Sequence, residues 1–129
     1  MAYKLVVIVA VCWLTWFMVR TVLAGRVLAT VFYDEDRLAL HRDSARLCLW
    51  LTFGLVALIE FGVRWHSKAN YGLMFEIHLC FALPFLALLV VLNRFATGLK
   101  SANHGLLAYL CLAMFAGMLV TGTVLLYRL

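Results

Sequence analysis

Four long, predominantly apolar runs, at about residues 5–25, 45–63, 72–92 and 105–127, constrain this chain more than any other feature. Each is close to the roughly 20 residues a helix needs to cross the hydrocarbon core of a bilayer. Apolar residues make up 67% of the 129 positions and charged ones 13%, against roughly 45–50% apolar in an ordinary soluble domain. A chain this short cannot bury so much hydrocarbon within itself, so lipid has to be its solvent. Lipid offers no partners for backbone polar groups, which leaves helices or a closed barrel. The runs are continuous instead of alternating, so the membrane-barrel pattern fails. The expectation is an all-α integral membrane protein: a single transmembrane domain over 1–129 whose four helices form an up-down bundle.

The first run is read as a span, not a cleaved leader. It lacks a small-residue cleavage pattern, has only Lys4 ahead of it, and is long for a leader's apolar segment. The net charge of +5 is spread over loops and ends, unlike the clustered basic face of a nucleic-acid binder. No nucleic-acid partner is expected. Arg20, Arg26, Arg37, Arg42, Arg46, Arg94 and Lys100 fall on the side of the first and third loops, with Lys4, Arg64, Lys68 and Arg128 opposite. The positive-inside rule then puts those two loops in the cytoplasm and both termini outside.

The first loop, about 25–46, is the only sizeable polar segment, and its early part either extends the first helix or lies along the interface. The other two loops are short and force antiparallel neighbours. Pro84 is expected to kink the third helix and free a carbonyl near Cys80. Gly117, Thr121 and Gly122 can admit a close neighbour to the last helix. Trp13, Trp16, Trp50 and Trp65 read as interfacial anchors. The four cysteines, Cys12, Cys48, Cys80 and Cys111, fall one per span without metal-type spacing. They read as small apolar packing residues.

Chemistry in such a chain has to come from its few polar groups, and the histidines stand out. His41 is expected just before the second helix and His104 just before the fourth; His66 ends the second, and His78 lies about two turns inside the third. His41 and His66 are 25 residues apart, roughly 37 Å along a helix, so they cannot share one ion. The set reads as two pairs, one near each membrane face. His41 and His104 form a candidate cofactor-binding pair by depth. His66 and His78, with the carboxylates Glu60 and Glu76, form a candidate metal site on the outer side, since buried carboxylates need a proton, a partner or a cation. Glu76 and His78 diverge by about 200° around a helix, and Glu60 and His66 by about 240°. One member of each pair therefore serves a different neighbour or acts behind the other. A bis-histidine haem is the other option, and spacing alone does not select it over copper or zinc. His41, His66 and His104 each also suit a plain interfacial or cap-region role, whereas His78, flanked by Ile77 and Leu79 inside a span, does not.

These residues also carry a resemblance. His41-Arg42-Asp43-Ser44-Ala45, then His66, then Glu76-Ile77-His78-Leu79 with Ala82-Leu83-Pro84, and finally His104 with Val120-Thr121-Gly122, follow one another in a familiar order. The chain resembles the four-helix, four-histidine bacterial membrane family known as domain of unknown function 420, which includes CtaM-like maturation factors of haem-copper oxidases. The likeness covers nearly the whole length. It departs where a second arginine would follow His41-Arg42, and where a late tyrosine gives way to the Glu60-Phe61 region. The resemblance implies a multi-pass protein of the bacterial inner membrane that handles a transition metal, copper first, or haem b while a respiratory oxidase is assembled.

Three functions compete at this point. One is an assembly helper with a labile cargo and no turnover, docked on the oxidase complex. The second is an electron-transfer subunit with a permanent b-type haem, and the third a structural accessory subunit of a membrane complex. A proton-coupled exporter using Glu60 and Glu76 is weaker. With no nucleophile-base set and no phosphate loop, an enzyme is not expected.

Overall fold

The computed structural model describes residues 2–30, 34–66, 72–95 and 101–128, apart from the side chains of 29, 30, 60, 63–66, 101, 102 and 128. The fold is all-α. Its four helices are α1 (Ala2–Thr30), α2 (Glu35–His66), α3 (Gly72–Arg94) and α4 (Ser101–Arg128). By length and composition, three segments can cross a membrane: Ala2–Leu28, Gly72–Arg94 and Asn103–Tyr127. No more than 22% of any of these three windows is buried, so most of their apolar surface faces outward. That suits a bilayer and no aqueous solvent. The remaining expected span, 45–63, lies in α2, where the side chains of residues 60 and 63 fall outside the description.

The chain divides into two compact units, Met1–Ile59 and Glu60–Leu129. In the first, α1 and α2 run antiparallel. The Tyr3 hydroxyl near one end of α1 donates to the Leu58 carbonyl at 3.3 Å, while Thr21 Oγ1 lies 3.6 Å from Cys48 Sγ further along. Val7, Leu14 and Met18 of α1 and Ser44, Cys48, Thr52 and Leu55 of α2 are its buried residues. Their spacings of three, four and seven are those of one helix face turned to a neighbour. In the second unit, α3 and α4 pack antiparallel in the same way. Phe85 and Leu89 are buried with Cys111, Phe115, Thr121 and Leu125, and the Phe85 and Phe115 ring centroids are 5.2 Å apart.

The expected first loop is largely helix. Helix α1 continues to Thr30, as one of the two readings had it, and α2 begins at Glu35 instead of near residue 45. Local chemistry accounts for the early start. Asp34 Oδ1 accepts the Asp36 amide at 3.2 Å, the Asp34 carbonyl accepts the Leu38 amide at 3.0 Å, and Glu35 and Asp36 supply negative charge to the first turn. A capping aspartate and acids at the positive end of the helix dipole are a strong start signal, which the hydropathy windows do not register. His41 is consequently inside α2, not ahead of it, and His104 is inside the first turn of α4, whose start is Ser101. Helix α3 opens at Gly72, whose φ of +50° is a conformation glycine adopts without steric penalty. It then runs through Pro84 without interruption.

Candidate functional site

His78 is held between the two helices of the second unit. It is the seventh residue of α3, half-buried, and its Nδ1 lies 2.9 Å from Thr121 Oγ1 on α4. Gly122 makes room for the ring: a methyl group there would come within 3.2 Å of His78 Cε1. One turn along, Phe81 lies against Gly117 so closely that a methyl on that glycine would overlap the ring. His78, Phe81 and Phe85 thus form one stripe of α3, and α4 answers it with Thr121 and Gly122, Gly117, and Phe115. The small residues expected to admit a neighbour do so, and what they admit is an imidazole and an aromatic ring.

The first unit repeats the device with different parts. His41, the seventh residue of α2 and half-buried, places Nδ1 3.0 Å from the Thr21 carbonyl oxygen of α1. A methyl on Gly25, one turn further along α1, would come within 2.8 Å of His41 Cε1. A carbonyl can only accept, so His41 Nδ1 is the protonated, donating nitrogen. The partners Thr21 and Gly25 were not singled out from the sequence. Their spacing of four, small residues one turn apart on an apolar helix, is the signal that would have found them.

Glu76 is exposed on α3, off the half-buried face that carries His78, as the wide angle between them requires. His104 is half-buried in α4 and belongs to the second unit, whereas its expected partner His41 belongs to the first. The side chains of His66 and Glu60 lie outside the described residues, and with them half of the expected metal set. Among the described residues no three histidine, cysteine, aspartate or glutamate side chains converge on a point where they could hold a metal ion. Cys48 and Cys111 are buried within their units as packing residues, whereas Cys12 and Cys80 are exposed. A groove of about 400 Å³ runs along α1 past Trp16, Arg20 and Leu23 and includes none of the histidines.

Comparison with models of protein families, with curated proteins and with solved structures finds no match for this chain.

Proposed function

We propose that this chain is a membrane-embedded haem-handling factor acting in the assembly of a respiratory haem-copper oxidase of the bacterial inner membrane, with His78 as the residue that meets the cargo. The observation that carries the reading is the seat of His78: a single imidazole inside a span-length helix, held by a threonine and backed by a glycine on its neighbour. Ionisable residues at such depth mark functional sites more often than packing. Haem asks little of a protein in ligands, because the porphyrin supplies four nitrogens and the chain only an axial group. A bare copper ion needs several donors from the chain, and those expected beside His78 were Glu76, which is exposed, with His66 and Glu60. Among the described residues no set of three donors forms with His78, which fits an axial haem ligand; copper is the alternative cargo, with His66 and Glu60 outside the described side chains. Labile, one-sided ligation by an imidazole also suits delivery to a partner, where stable electron transfer would want two matched axial ligands.

The test is a reduced-minus-oxidised optical spectrum of the detergent-purified protein after addition of haem b, for the wild type and His78→Ala. Haem bands that are lost in the variant, and that transfer from the wild type to a haem acceptor such as apomyoglobin, are the expected result. Bands retained in His78→Ala overturn the assignment. Haem that copurifies and does not transfer would instead make the chain an electron-carrying subunit. A colourless protein that binds copper through His78 would make copper the cargo.

A further inference from the structure

The hydrogen bonds around Thr121 decide which nitrogen of His78 can act as a ligand. Thr121 has one hydroxyl proton, and its Oγ1 lies 2.9 Å from the Gly117 carbonyl and 3.2 Å from the Met118 carbonyl of its own helix. Both are acceptors only. In an apolar span, three oxygens facing one another without a proton between them would be repulsive, so the hydroxyl proton points at the backbone. What Thr121 has left for His78 is a lone pair, and Nδ1, at 2.9 Å, must therefore be the donor. A neutral imidazole has one N–H. With the proton held on Nδ1, the lone pair is on Nε2.

We propose that Thr121 is a positioning residue for His78: its hydroxyl, oriented by the Gly117 and Met118 carbonyls, fixes the Nδ1–H tautomer and so makes Nε2 the ligating atom. Gly122 completes the arrangement, since its missing side chain lets the ring approach α4 closely enough for the Thr121 bond. Donation of Nδ1–H to a fixed acceptor both orients an imidazole and raises the basicity of its other nitrogen. The last step, ligation of haem iron by Nε2, rests on the haem reading above; the tautomer does not.

The experiment uses the full chain in detergent micelles with 15N-labelled histidine, and reads tautomers from long-range proton–nitrogen spectra. The His78 signal is identified by its loss in His78→Gln. The wild type is expected to show Nδ1–H at His78, Thr121→Ser to keep it, and Thr121→Val to lose that preference. Titration with haem b is expected to give affinity roughly 10- to 100-fold weaker in Thr121→Val, restored in Thr121→Ser. An Nε2–H tautomer in the wild type overturns the proposal, as does a Thr121→Val chain with unchanged tautomer. Should the valine variant fail to insert, the wild-type and serine spectra still decide. An Nδ1–H tautomer in a wild-type chain that takes up no haem leaves the role of Thr121 standing and removes the haem reading.

Discussion

Among the described residues, Gly25, Gly117 and Gly122 leave room for a ring. A methyl on Gly25 would come within 2.8 Å of His41, and one on Gly117 would overlap Phe81, while Gly54 has open space where its Cβ would be. Glycine to alanine within a helix should gain about 0.5–1 kcal/mol from backbone entropy alone. Overpacking opposes this with roughly 1–3 kcal/mol where the neighbour cannot yield. Gly54→Ala is accordingly expected to raise the unfolding midpoint in detergent, and Gly117→Ala to lower it, as followed by circular dichroism during denaturant titration. Equal shifts of one sign would show that the rings at these positions yield freely. His78→Ala removes a half-buried ring, with its contact to Gly122 and its hydrogen bond to Thr121. It is expected to insert normally, with cofactor retention as the only property lost.

At the scale of elements, the start of α2 is the feature with most to lose. The Asp34 side chain accepts the Asp36 amide, and the exposed ion pair of Asp34 with Arg37 at 3.8 Å adds little. Asp34→Ala is expected to cost roughly 0.5–2 kcal/mol by removing the cap. Amide exchange should quicken at Leu38 and in the next turn toward His41, whereas Arg37→Ala should leave the same amides nearly unchanged. The capping signal, an aspartate followed by two acids, was present in the sequence. Apolar length does not register it, because the first turns of α2 are polar and exposed. His41 therefore falls ahead of the apolar run 45–63, and His104 ahead of the run 105–127, although α4 already starts at Ser101. Helix α3 carries the chain's one proline. Pro84 interrupts neither the helix, which continues through it, nor its packing, since the proline is exposed while Phe85 and Leu89 are buried.

For the whole molecule, the distribution of positive charge leads to a topology that fusion reporters can check. Reporters active only outside the cytoplasm are expected to work at both ends of the chain and to fail within the third loop, at residues 96–100. The opposite pattern would reverse the sides assigned to the two units' ends. The sequence by itself determined that this chain is all-α and built for lipid, because the length and continuity of an apolar run are one-dimensional properties that the bilayer reads directly. It also marked His78 as costly to bury, since its flanks are apolar whatever the fold. Only the tertiary structure decided what surrounds the imidazoles. Thr121 and Gly122 are 43 and 44 positions from His78, and Thr21 and Gly25 are 20 and 16 from His41. No local pattern links such residues, because the antiparallel register of α3 on α4 and of α1 on α2 is set by how side chains interdigitate. The tautomer of a histidine, and hence the atom it can offer a ligand, follows from that register alone.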